Sequence, residues 1–202
     1  MTHWHRVALA DCPDQSWANG AGVTRQLLVW PVDDAWSLRV SVATISQSGP
    51  YSRLEQTQRW HTVVQGALAL SINGYKTHLD RESEPFAFDG EQPCDCELLQ
   101  GPALALNIMT RGPLIAKVIR IRNSPSRSID ASNQTQAFDL DRKSYALAGV
   151  YAVAPARVRQ GDHVTDLEPA QWIWSDTLES SPLTTRICSD HAVVVLIERT
   201  SK

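Results

Sequence analysis

The sequence predicts an all-β fold built as two jelly-roll-like lobes, and three observations predict it. Runs with period-two alternation recur along the chain, the clearest being Trp36-Ser37-Leu38-Arg39-Val40-Ser41-Val42-Ala43-Thr44-Ile45. Glycine, proline and Asn-Gly turns punctuate these runs at short intervals, and no segment of about ten residues shows helical periodicity. Many short strands with turn residues between them are the pattern of sandwiches and barrels. The pattern also runs twice, which assigns 1–112 to an N-terminal lobe and 113–202 to a C-terminal lobe. A single large barrel is the alternative.

Taken in order, residues 3–9 alternate weakly and open a strand. Cys12 to Gly22 is a polar, glycine-rich connection. Thr24 to Trp30 reads as a strand stopped by Pro31, and Asp33-Asp34 as a turn. The central strand, Trp36 to Ile45, breaks at Gln47-Ser48-Gly49-Pro50. Thr62 to Ile72 reads as one long strand, bent or bulged at Gly66. Asn73-Gly74 then joins it to Tyr75–Leu79 in the strongest short hairpin signal available. Pro85 to Gly90 is a strand and turn, and Cys96–Leu99 and Leu104–Thr110 flank Gly101-Pro102. Beyond Pro113, Lys117–Arg122 alternates, and a polar loop covers Asn123 to Asp141. Tyr145–Val153, Val164–Leu167, Trp172–Trp174, Leu183–Cys188 and Ala192–Glu198 complete the strands.

Composition narrows the function. A net charge of −3 over 202 residues, with no basic stripe, speaks against a nucleic-acid partner. No apolar run approaches the roughly 20 residues that span a bilayer, and the first residues lack the apolar core of a signal peptide. A cytoplasmic protein without a membrane partner is expected. The spacing of Cys12, Cys94, Cys96 and Cys188 fits free thiols in a reducing compartment. Seven tryptophans are many for this length and suit gaps between strands.

Arg39 sits between Ser37 and Ser41 on the polar face of the central strand. Ala105, Asn107, Met109 and Arg111 form the corresponding face of a second strand, whose other face carries Leu104, Leu106 and Ile108. If the two polar faces converge, Arg39, Ser41, Asn107 and Arg111 line a cavity. An arginine fork binds a carboxylate through parallel hydrogen bonds, and an amide and hydroxyls orient it. The alternative pairs Arg39 with an internal acid such as Glu97 and spends Asn107 on a turn backbone. Asn19-Gly20-Ala21-Gly22 lacks the strand-then-helix context of a phosphate loop. It is either a structural turn or, with Asn19 and Thr24, a pocket rim. His61, His78, His163 and His191 are scattered, so no metal, cofactor or catalytic set is assigned.

These residues carry a resemblance. Trp17-Ala18-Asn19-Gly20-Ala21-Gly22-Val23-Thr24 resembles the W-x-N-G-x-G-x-T signature of the HutD/Ves family. Trp36 to Ala43 with Gly49-Pro50-Tyr51-Ser52 resembles its second block. Phe88-Asp89-Gly90, Gly101-Pro102 and Asn107-Ile108-Met109-Thr110-Arg111 resemble its third. The blocks cover residues 16–111 and most resemble the Ves branch, described as cold- and stress-inducible.

The resemblance implies a bicupin: two cupin-like lobes, each a double-stranded β-helix, without the usual metal triad. It implies a non-enzymatic role in histidine utilisation, restraining flux by binding an intermediate such as formiminoglutamate or urocanate. It carries ligand contact to Trp17, Asn19, Thr24, Trp36, Arg39, Ser41, Asn107 and Arg111. One departure is Ala105, where the family often has an acid. Two other readings compete with the small-molecule binder. One is a cupin isomerase or dioxygenase using His61 in a non-standard metal site. The other is a stress-related interaction module with an exposed tryptophan patch. By analogy with cupins, pairing of edge strands between copies would give a homodimer.

Overall fold

Alternation becomes strand along most of the chain. The computed structural model describes residues 3–32, 35–122, 137–140, 145–176 and 185–200. The strands of the first part are β1 (His5–Ala8), β2 (Asp14–Ser16), β3 (Gly22–Trp30), β4 (Leu38–Ile45), β5 (Gly49–Pro50), β6 (Gln58–Gln65), β7 (Ala67–Ile72), β8 (Tyr75–Asp80), β9 (Phe86–Asp89), β10 (Cys94–Leu98) and β11 (Ala103–Thr110). Those of the second are β12 (Leu114–Arg122), β13 (Ala137–Leu140), β14 (Leu147–Ala152), β15 (Ala156–Gln160), β16 (His163–Leu167), β17 (Gln171–Ser175), β18 (Thr185–Ser189) and β19 (His191–Arg199). Among the described residues the helical content is one 3-10 turn, Leu9–Asp11, and no helix is long and apolar enough to cross a membrane.

The protein is all-β and divides into two compact units, 9–116 with 200–202, and 1–8 with 117–199. Two units replace the single-barrel alternative. The first holds a six-stranded sheet in the order β2-β3-β4-β11-β6-β9 and a four-stranded sheet in the order β5-β10-β7-β8. The second holds β1-β17-β14-β19-β12 and β13-β18-β15-β16. β1, expected in the first lobe, pairs with β17, His5 opposite Trp174 and Ala8 opposite Gln171, and so belongs to the second unit.

The core of the second unit is aliphatic, with Leu140, Val150, Val158, Leu167, Ile173, Ile187, Val194 and Leu196 in one buried cluster. The first unit buries Ala43, Ile45, Val63, Leu68, Leu70, Phe88, Cys94, Cys96, Ala103 and Ala105. Its sheet faces are graded. The β4 side chains on this face run Arg39, Ser41, Ala43, Ile45, and the neighbouring β11 runs Met109, Asn107, Ala105, Ala103 in register with them. β6 repeats the gradient with Arg59, His61 and Val63. Aliphatic side chains close one end of the sandwich, and the polar end stays open. The other face of β4 and β11 is also buried, at Leu38, Val40, Val42, Leu106 and Ile108.

Several expectations are corrected. The run from Thr62 to Ile72 is two strands in different sheets, β6 and β7. Gly66 turns the corner at φ +81°, and a Cβ there would lie 2.9 Å from the Pro102 carbonyl oxygen. Only glycine meets both demands. The connection from Cys12 to Gly22 contains β2, and the polar segment after Asn123 contains β13, paired with β18. β15 was not expected at all. The Asn-Gly hairpin forms as read, with Ile72 opposite Tyr75. The Asp33-Asp34 turn, Leu183 and most of the Asn123–Asp141 loop lie outside the described residues.

Candidate ligand-binding site in the first unit

The polar end of the first unit encloses a cavity of about 400 Å³. Its floor is made by cross-strand rows. One row runs Gln26, Ser41, Asn107, His61 across β3, β4, β11 and β6. The next runs Arg39, Met109, Arg59. A third runs Thr24, Ala43, Ala105, Val63. The small side chains at Ser41 and Ala43 leave the volume that larger ones would fill.

Of the expected site residues, the cavity brings together Trp17, Asn19, Thr24, Arg39, Ser41 and Asn107. Trp17 donates its indole N–H to the Thr24 hydroxyl at 2.8 Å. Asn19 is both turn and rim. Its side chain accepts from the Ala21 N–H at 3.0 Å, and the residue lines the cavity. Gly22 allows this tight entry, since a Cβ there would run into the Thr44 carbonyl oxygen and fall 3.3 Å from the Trp17 ring.

Trp36 and Arg111 do not line the cavity. Alternation places Trp36 on the face opposite Arg39, but β4 begins only at Leu38 and Trp36 lies ahead of it. Its ring therefore turns under both cations, 4.5 Å from the Arg39 guanidinium and 3.9 Å from that of Arg111. Arg111 follows the end of β11. Its Nε donates to the Thr57 hydroxyl at 2.8 Å, and its backbone N–H to the Ser37 carbonyl at 2.9 Å. Both residues support the site from outside.

The alternative readings are also placed. Glu97 pairs with Lys76 on an exposed face of β10 rather than with Arg39. Asn107 bonds to His61 and to the Ala105 carbonyl within the sheet, not to a turn.

Sequence reading missed Arg59, Tyr51, Gln26 and Met109, all of which line the cavity. Arg59 matters most. It is only 7% exposed, and no carboxylate pairs with it among the described residues. One long bond to the Ser52 carbonyl, at 3.4 Å, and two ring faces hold it: Tyr51 at 5.2 Å and Phe88 at 5.0 Å. Burial pulls its pKa below the ordinary guanidinium value, with Tyr51 and Cys94 opposing. A buried guanidinium without a counter-charge costs several kcal/mol. The signal was legible, because Arg59-Trp60-His61-Thr62-Val63 repeats the grading of Arg39 to Ala43.

Two other groups shape the chemistry. His61 is buried, and burial, opposed by its bond to Asn107, lowers its pKa to about 4, so the ring is neutral at ordinary pH. Burial pushes the Cys94 thiol up to about 11, and all four cysteines are free. A thiol so raised is a poor nucleophile. Among the described residues no three His, Cys, Asp or Glu side chains gather to hold a metal ion.

Comparison with known proteins adds the relatives. The family model described as HutD matches residues 9–184. Protein Ves of Cronobacter sakazakii is 32% identical over 111 residues, 54% of this chain and 61% of that protein. Protein Ves of Escherichia fergusonii is 35% identical over 104 residues, 49% of this chain and 53% of that protein. The chain thus spans about three fifths of the first relative's length and about half of the second's. The structure of HutD from Pseudomonas fluorescens SBW25 superposes with a TM-score of 0.79 at 20% identity, over 98% of this chain and 100% of that one. An oxalate decarboxylase mutant from Bacillus subtilis superposes with a TM-score of 0.59 at 9% identity, over 96% of this chain and 76% of that one. At these identities the structural likeness shows the fold, which is that of cupins.

Proposed function

The chain belongs to the HutD family, and we propose that it is a non-enzymatic bicupin that binds a small carboxylate-bearing metabolite in its first unit. One observation carries the reading. A buried guanidinium, Arg59, faces the cavity without a carboxylate partner among the described residues, in the same cross-strand row as Arg39. A ligand carboxylate would supply the missing charge, with Ser41 and Asn107 beside it to orient it. The aromatic walls, Trp17 and Tyr51, suit a ligand with a flat or apolar body. Formiminoglutamate and urocanate both carry carboxylates, and urocanate also has the flat body. The choice of these two, and a cytoplasmic regulatory or stress-response role in histidine utilisation, rest on the family resemblance.

The test is a thermal-shift titration with formiminoglutamate, urocanate and unrelated carboxylates. A ligand that binds only the folded state adds about 2.7 kcal/mol at a hundredfold excess over its dissociation constant. A selective shift, absent in a folded Arg39→Ala variant, supports the reading. No shift with any carboxylate sinks it, and an Arg39→Ala chain that only unfolds makes Arg39 structural.

A further inference from the structure

The row Ser41, Asn107, His61 contains an orientation problem, because a carboxamide offers a donor on one side and an acceptor on the other. Which side of Asn107 meets the ligand decides what the floor of the cavity selects. Its Nδ2 donates to the Ala105 carbonyl at 3.3 Å, and turning the amide over would set two oxygens against each other. The Oδ1 of Asn107 therefore faces the Nδ1 of His61, at 3.0 Å. Only an N–H can meet an amide oxygen there, so the proton of the neutral imidazole is on Nδ1. The other ring nitrogen, Nε2, is then a bare acceptor, buried and without a hydrogen-bond partner among the described residues.

His61 is 1% exposed and lies beside Asn107 on the neighbouring strand, at the end of its row and not among the residues that line the cavity. A histidine kept merely to fill space would be a poor choice, since an apolar ring would bury no lone pair. What the imidazole supplies, and an apolar ring does not, is the Nδ1 donor.

We propose that His61 is a positioning residue: its Nδ1–H holds the Asn107 amide with the N–H side toward the cavity, so that the site selects a carboxylate over the corresponding carboxamide. This rests on the carboxylate-binding reading above. Both oxygens of a carboxylate accept, and one can take the remaining Asn107 N–H. A carboxamide has one accepting oxygen. Spent on a guanidinium, that oxygen turns the ligand N–H against the Asn107 donor; spent on Asn107, it turns that N–H against a guanidinium. One donor pair is left unmatched either way. Without the His61 donor the amide keeps only its longer bond to the Ala105 carbonyl, at 3.3 Å. It can then give up that bond, turn and accept from the carboxamide, and the selectivity falls.

The experiment compares urocanate with its carboxamide by calorimetry on the wild-type chain, His61→Phe and His61→Asn. Asparagine retains a donor near the Nδ1 position. The preference of the wild-type chain for the acid should fall about tenfold in His61→Phe. It should stay within about threefold in His61→Asn. Nitrogen NMR of the labelled wild-type chain near neutral pH, which needs no variant to fold, should show the His61 proton on Nδ1. A proton on Nε2, or an unchanged preference in His61→Phe, overturns the positioning role and leaves carboxylate binding intact. Failure of the wild-type chain to bind urocanate or any other carboxylate removes the carboxylate reading, and the positioning role with it.

Discussion

Arg39 and Arg59 stand in one cross-strand row, each directly opposite Met109 from its own side. Adjacent strands lie about 4.8 Å apart, so the two backbones are about 10 Å apart. Two like charges on one concave face repel each other. Replacing Arg59 with methionine keeps its stem against Tyr51 and Phe88 and removes the buried charge. Unfolding free energy in the absence of ligand should stay level or rise, by up to about 4 kcal/mol. The thermal shift with a bound carboxylate should vanish. Denaturant unfolding read beside the titration checks both, and a loss of about 3–5 kcal/mol without ligand would make Arg59 part of a structural pair instead.

Arg111→Met separates support from contact. Arg111 stacks on Trp36 and bonds to Thr57 without reaching the cavity. Its loss should lower stability by about 1–2 kcal/mol. Affinity for a carboxylate ligand should remain within about threefold of wild type, whereas Arg39→Ala abolishes it. Calorimetric titration of the two variants side by side decides, and equal loss of binding in both would return Arg111 to the ligand.

The cavity was legible where polar grading coincides with a strand whose limits the sequence marks. Arg39, Ser41 and Asn107 were found because β4 and β11 alternate cleanly between turn signals. Arg59 escapes notice because the sequence pattern starts the strand at Thr62, four residues after β6 begins at Gln58. Arg111 joins the polar face only when alternation is carried past the end of β11, where side chains no longer obey it, whereas Trp36, which alternation sets on the opposite face, is named by the family resemblance alone. The charges of Arg157 and Arg159 hid β15, although Ala156, Val158 and Gln160 alternate with them and are buried. The rows themselves needed the register between strands distant in sequence, which strand pattern alone does not supply.

Gly66→Ala tests the corner that sends β6 and β7 to different sheets. The substitution meets a left-handed φ of +81° and places a Cβ 2.9 Å from the Pro102 carbonyl oxygen and 3.2 Å from the Ala103 Cβ. Backbone strain of this kind costs about 1–3 kcal/mol, before any clash is relieved. Chemical denaturation should show a lower midpoint with an unchanged slope. An alanine tolerated without loss would mean that the corner can be made in another way.

His61 gives the fold a pH dependence of fixed sign. Burial lowers its pKa from 6.5 to about 4 in the folded chain. Between these values the unfolded chain takes up a proton that the folded chain refuses. Stability from this group is complete above pH 6.5 and is lost as the pH falls toward 4, by about 3 kcal/mol in all. His61→Phe has no proton to refuse. Unfolding free energies measured from pH 7 down to 4 should therefore fall more steeply for the wild-type chain than for the variant, the two curves converging or crossing at the acid end. Parallel curves would mean that the buried imidazole takes its proton without cost. That would require an acceptor for a second N–H, such as a water at Nε2, in a place where no protein group among the described residues provides one.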